Sequence, residues 1–131
     1  MKKLILAILL LLLPLSAMAA NTIDAETYSV TITAIDSTWH YRTSYLDAKY
    51  ADGIKVEYII FSPGATDDIC LIRDDASDGA ILFRAKCADV YDQRIIYFAG
   101  QLIKPYLDVT EGAPNASAIL TIKISHRQKN D

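Results

Sequence analysis

The chain has few of the residues that catalysis or metal binding requires. Its 131 residues include only two histidines, His40 and His126, and two cysteines. The patterns of a zinc protease, a redox dithiol, a phosphate loop and a dinucleotide site are missing, and no G-x-S-x-G nucleophile motif accompanies His40. We therefore predict a protein that is not an enzyme and needs no cofactor. A small periplasmic hydrolase built around His40 is the alternative.

The chain also lacks an excess of basic residues. Residues 1–19 have a charged start, an apolar run from Leu4 to Leu13 and an Ala17-Met18-Ala19 end, the pattern of a cleaved secretory signal peptide of bacterial type. Two of the thirteen basic side chains lie in this leader, so eleven remain against sixteen acidic ones, a formal charge of −5. We expect a periplasmic or extracellular protein without a nucleic-acid partner and without a stable membrane anchor after cleavage.

Long helical patterns are scarce, and two-residue alternation dominates instead. Tyr28–Ile35 and Ala116–Ile124 each place apolar residues on one face, and Asp68–Arg73 and Ala80–Arg84 flank a polar turn as a β-hairpin. The sequence thus predicts an all-β domain over residues 20–125, an antiparallel β-sandwich or jelly roll of seven to eight short strands. Residues 126–131 are predicted to be a flexible tail.

One strand is richer in apolar residues than the others. In the run from Ile54 to Phe61, alternation places Ile54, Val56, Tyr58 and Ile60 on one face. Its end is apolar at consecutive positions, which predicts that this end is covered on both faces.

The two cysteines leave two interpretations open. An even cysteine count in an oxidising compartment favours a disulfide between Cys70 and Cys87. Hairpin register, however, places Cys70 opposite a residue near Phe83 or Arg84, about three positions short of Cys87, which favours two separate buried thiols.

Aspartates are concentrated around the predicted hairpin. A calcium site would use their carboxylates, yet aspartate is also favoured in turns, where it hydrogen-bonds to its own backbone. The candidate ligands are Asp67, Asp68, Asp74, Asp75 and Asp78.

Aromatic residues cluster in the irregular region before residue 51. Trp39, Tyr41, Tyr45 and Tyr50 could form a binding surface, because rigid amphipathic side chains are common at interfaces. They could equally serve as core residues of the sheet.

The order and spacing of the predicted strands resemble those of one group of proteins. The runs Ile54–Phe61, Asp67–Asp74, Gly79–Phe83 and Tyr97–Gly100 make residues 54–124 similar to small uncharacterised β-sandwich proteins of tailed-phage and prophage structural genes. That resemblance implies a role in a virion-type surface through protein contacts, and it assigns no site residues.

We therefore expect an exported module that acts by binding a protein partner or by self-association. A calcium-stabilised envelope domain is the second hypothesis.

Overall fold

The computed structural model describes residues 22–24, 28–33, 35, 38–44 and 52–125. The predicted signal peptide (residues 1–19) and tail (residues 126–131) lie outside this part, as do Tyr45 and Tyr50. The strands are β1 (Thr22–Asp24), β2 (Ser29–Ile32), β3 (Trp39–His40), β4 (Ile54–Ser62), β5 (Ile69–Asp74), β6 (Ile81–Lys86), β7 (Arg94–Ile103), β8 (Pro105–Leu107) and β9 (Ile119–Ile124). One helical turn, α1 (Tyr41–Ser44), follows β3.

The strands form two antiparallel sheets, which confirms the predicted all-β sandwich. The five-stranded sheet has the order β1-β2-β9-β4-β7, and the four-stranded sheet has the order β3-β8-β5-β6. The predicted hairpin is β5–β6, in which Cys70 pairs with Ala85 and Ile72 with Phe83.

The core lies between the sheets and follows the alternation of the strands. In β9, Leu120, Ile122 and Ile124 are buried and face Val30 and Ile32 of β2 along the same side of the sheet. From the four-stranded sheet, Cys70, Ile72 and Phe83 join the same apolar cluster. Burial of these branched side chains is the main favourable term for folding, at about 25 cal/mol per Å² of apolar surface.

Strand β9 begins later than its sequence pattern indicates. The backbone N–H of Ala118 donates to the carbonyl of Asn115 at 2.8 Å, and the Asn115 side chain accepts from the N–H of Ser117 at 3.0 Å. These bonds close a turn, so the residues from Ala116 to Ala118 precede the strand, which starts at Ile119.

A β-bulge in β4 reverses the faces that simple alternation predicts. The register with β9 passes from Val56 opposite Ile124 directly to Tyr58 opposite Lys123, so Glu57 is an extra residue. After it, Ile59 and Phe61 face the core with no exposed surface, whereas Tyr58 and Ile60 turn to the outer face and are half-buried. The prediction that Tyr58 and Ile60 share the face of Ile54 is therefore wrong.

Within the part of the chain that the structure describes, no helix has the length and apolar character needed to cross a membrane.

Candidate functional site

Strand β7 is an unusual edge strand. It has ten residues and, among the described strands, pairs only with β4. The other sheet edges are poorer templates: β1 and β3 have three and two residues, and β6 carries exposed Arg84 and Lys86. Short strands and charged side chains are the usual protection of an edge against pairing with another chain. In β7 the only charged residue is Arg94, at its first position.

The outer face beside this edge carries an apolar patch. Its members are Tyr58 and Ile60 from β4 and Tyr97 and Ile95 from β7, paired as Tyr58 with Tyr97 and Ile60 with Ile95. Tyr97 is 74% exposed and Ile95 is 47% exposed. The two tyrosine rings meet edge to face at 6.0 Å between centroids, a favourable arrangement for an aromatic pair. We call these four residues the β4–β7 patch.

The same outer face becomes polar towards β2, although Ile119 of β9 and Leu102 of β7 are also exposed on it. Ser29 and Thr31 of β2 pair with Lys123 and Thr121 of β9, and Lys123 and Thr121 in turn lie beside Tyr58 and Ile60. The face thus changes from polar to apolar towards β7. A single exposed apolar residue is ordinary, but a contiguous apolar group with a polar border is typical of a contact surface.

A second bulge limits the usable length of the edge. The β4–β7 register moves from Tyr58 opposite Tyr97 to Val56 opposite Gln101, and the backbone has positive φ at Ala99 (51°) and Gly100 (79°). A bulge bends an edge away from regular pairing. The regular, unprotected part of β7 therefore runs from Arg94 to Phe98, next to the β4–β7 patch.

The outer face of the four-stranded sheet is partly covered by the chain itself, although Ile81 at its margin is 51% exposed. Asp108 continues the β5–β8 ladder, its N–H donating to the carbonyl of Leu71 at 2.9 Å, and on the outer face Arg73 Nε donates to Asp108 Oδ2 at 2.6 Å. Leu71 is only 1% exposed although it alternates with the core residues Cys70 and Ile72. Glu111 continues the cover through a 2.6 Å ion pair with Arg84.

The aspartates do not form the predicted calcium site. Asp67 and Asp68 lie at one end of β5, and Asp74, Asp75 and Asp78 at the other, about 20 Å away for a strand of this length. No group of three potential ligands that could hold a metal ion occurs among the described residues. The expectation that the hairpin gathers these carboxylates is wrong, because an antiparallel hairpin separates the two ends of a strand.

The individual aspartates have structural partners instead. Asp68 accepts hydrogen bonds from the backbone N–H groups of Gly64, Ala65 and Asn115 at 2.7–3.0 Å. Asp74 accepts from the N–H of Lys104 at 3.1 Å, and Asp67 pairs with Lys86 at 2.9 Å. Asp78 is exposed in the turn.

His40 belongs to a polar cluster around Asp75. Its Nδ1 accepts the backbone N–H of Arg42 at 3.1 Å, so Nε2 carries the proton and donates to Asp75 Oδ1 at 3.2 Å. Arg42 and Lys104 lie 3.8 Å from the same carboxylate. These contacts tie α1 and the start of β8 to the β5–β6 turn, since both ring nitrogens of His40 are engaged within the fold.

The two cysteines are buried free thiols in this structure, so the predicted disulfide is not formed. Cys70 lies opposite Ala85, and Cys87 lies two residues further along, where its N–H donates to the carbonyl of Asp68. Such a diagonal pair has Cα atoms about 7–8 Å apart, beyond the usual disulfide span. Burial raises the pKa of the Cys70 thiol and, helped by nearby Asp92, that of Cys87.

Two members of the predicted aromatic surface are core residues. Trp39 is 3% exposed and Tyr41 is fully buried, so these residues do not form a binding surface. Tyr45 and Tyr50 lie outside the described residues. The exposed aromatic residue of the described strands is instead Tyr97 of β7. The apolar run at the end of β4 indicates apolar side chains on both faces, but alternation assigns Tyr58 and Ile60 to the wrong face.

No family model, no curated protein and no solved structure matches this chain.

Proposed function

We propose that this chain is an exported, non-enzymatic β-sandwich module that acts by protein contact through the β4–β7 patch and the adjoining edge of β7. The observation that carries the proposal is the contrast between the two outer faces. On one face Leu71 is buried and the segment after β8 pairs with Arg84, with Ile81 exposed only at the margin, whereas the other face leaves the neighbouring Ile95 and Tyr97 about half to three-quarters exposed.

An edge strand beside an apolar face offers two kinds of contact at once. Backbone groups along Arg94–Phe98 that no described strand pairs with can hydrogen-bond to an added strand, while the patch supplies apolar area for its side chains. Backbone pairing gives affinity for an extended segment, and tyrosines are frequent anchors at interfaces. This surface serves equally in a binding domain and in a subunit of a surface assembly. The second role is the one that the resemblance to phage structural proteins implies.

The native size of the overproduced protein, measured in cell extract in which its concentration is well above the micromolar range, tests the proposal. We expect the wild-type chain to migrate as a complex larger than one copy, and a double variant, Ile95→Thr with Tyr97→Lys, to migrate as the lone chain. Ala113→Lys, at an exposed position in the segment between β8 and β9, adds the same charge away from both sheet edges and should migrate as the wild type does. A wild-type chain that already migrates alone would contradict the proposal, as would a complex that the patch variant leaves intact.

A further inference from the structure

We propose that the occupant of the β7 edge is a second copy of this chain, paired antiparallel through residues 94–98 about a twofold axis at Ile96. This inference rests on the proposed function and names its partner. Antiparallel pairing of two identical strands is symmetric, so each copy offers and receives the same edge. The two five-stranded sheets would become one continuous ten-stranded sheet.

The register follows from the side chains of β7. With the axis at Ile96, Ile95 lies opposite Tyr97 of the second copy, and Tyr97 lies opposite Ile95 of that copy. The two β4–β7 patches then join into one apolar surface across the twofold axis, with two cross-strand pairs of an aromatic and a β-branched residue, which are favourable in sheets.

Registers that place the twofold axis at another residue of β7 pair the side chains less favourably. An axis at Arg94 sets two guanidinium groups directly against each other, which is destabilising. An axis at Ile95 sets Tyr97 against Gln93 of the second copy. An axis at Tyr97 sets Ile95 against Ala99, whose positive φ belongs to the bulge. The register at Ile96 also keeps the two Arg94 side chains four positions apart, roughly 14 Å along the strands.

The geometry further predicts a closed and weak dimer. The opposite edge of the same sheet is β1, with three residues, too short to continue the assembly. Five regularly paired residues per strand, with the patch side chains, make a small interface, which belongs at the low end for a specific interface, below about 1,200 Å² of total buried surface. Dimerisation should therefore depend on protein concentration in the micromolar range.

Sedimentation velocity on the purified protein, from low micromolar to near-millimolar concentration, tests the second copy. We expect a shift from monomer to dimer in the wild type and an association at least tenfold weaker in Tyr97→Lys, which places a charge on the edge. Thr121→Lys, on the same outer face but inside the sheet, should associate within about twofold of the wild type. If Tyr97→Lys melts at the same temperature as the wild type, misfolding is excluded as the cause of its weaker association.

Cysteine cross-linking tests the register. Under mild oxidation, Ile96→Cys, which keeps Ile95 and Tyr97, should form a covalent dimer, because the two new thiols face each other at the axis. Ile95→Cys or Tyr97→Cys alone should form no covalent dimer, because identical positions there lie two residues out of register, too far for a disulfide.

A wild type that stays monomeric at every concentration overturns the second copy, and an Ile96→Cys variant that dimerises without cross-linking overturns the register at Ile96. If the chain still migrates as a patch-dependent complex in cell extract, the proposed function stands with a different protein as occupant. If that complex is missing too, both proposals fail.

Discussion

At the scale of single residues, Asp68 connects three separate parts of the fold. Its carboxylate accepts N–H groups from residues 64 and 65, just after β4, and from Asn115, just before β9. The side chain is 8% exposed, so water replaces these bonds poorly once the carboxylate is removed. The residue that sequence analysis treated as a metal ligand is therefore a structural acceptor for backbone donors.

Replacement of Asp68 tests this role. We expect Asp68→Ala to lower the free energy of unfolding by about 3 kcal/mol, since buried donors lose a charged acceptor. Asp68→Asn keeps one acceptor oxygen and should lose about half as much. Urea denaturation measures both. An alanine variant as stable as the wild type would show that these bonds contribute nothing.

The carboxyl of Asp108 should make stability depend on pH. Its burial alone would raise the pKa, but hydrogen bonds from Thr110 and Arg73 outweigh that effect, so the pKa of Asp108 lies below its ordinary value. A lowered acid pKa stabilises the folded state above the unfolded-state value, about 3.9, and this contribution is lost as the pH falls through the folded value. The stabilising contribution of the charged Asp108 is thus complete at neutral pH.

The variant Asp108→Asn isolates the contribution of the Asp108 carboxylate to the free energy of unfolding, because all other carboxyls remain in both proteins. The difference in free energy of unfolding between the wild type and the variant should be largest near neutral pH and narrow below about pH 4. Urea titrations at several pH values measure it. A difference that stays constant through the acid range would refute the assigned role of Asp108.

At the scale of elements, the β5–β6 turn is both tight and anchored. The N–H of Asp74 donates to the carbonyl of Ala80 at 2.9 Å, and the N–H of Asp75 donates to the carbonyl of Lys104 at 2.7 Å. A Cβ atom at Gly79 would collide with the backbone carbonyl of Asp74. The turn therefore needs glycine for space, and it holds the hairpin against the link between β7 and β8.

Gly79→Ala should destabilise the protein by about 2 kcal/mol, because backbone must move to admit the methyl group. Ser77→Ala, an exposed position in the same turn, should stay within about 0.5 kcal/mol of the wild type. Thermal and urea unfolding compare the two variants. If Gly79→Ala were as stable as Ser77→Ala, the turn would admit the extra methyl group without loss of free energy of unfolding, and the assigned role of Gly79 would be wrong.

The elements also show what sequence can predict. In β2 and β9, side-chain alternation alone identifies the strand and its buried face, because the two strands pair regularly on a half-buried sheet. In the β5–β6 hairpin alternation identifies the strands, but it does not predict the register shift after Ile72 or the burial of Leu71. In β4 the same reasoning fails after Glu57, since the bulge arises from how β7 and β9 pair with it, which no local pattern records. The β4–β7 patch was missed for that reason.

The prediction that Trp39 and Tyr41 belong to a binding surface failed for a related reason. An aromatic residue in an irregular segment has the same local signature in a core as on a surface. The tertiary packing of β3 and α1 decides, and it buries both side chains.

At the scale of the whole molecule, the two sheets are covered unequally. On the outer face of the four-stranded sheet, Asp108 and Glu111 of the segment after β8 pair with Arg73 and Arg84, and Leu71 is buried. The five-stranded sheet has its apolar patch at one border, next to its longest strand edge. A fold that protects one outer face and leaves the other apolar at an open edge is suited to association, because the edge and the patch would be covered together.

Photocrosslinking in the producing cells tests this central claim most directly. A photoreactive phenylalanine at Tyr97 should yield a discrete protein adduct after irradiation. The same group at Ala113, an exposed position in the segment between β8 and β9, should yield only the uncross-linked chain. No adduct at Tyr97, or equal adducts at both positions, would contradict the assignment of the β4–β7 patch as the contact surface.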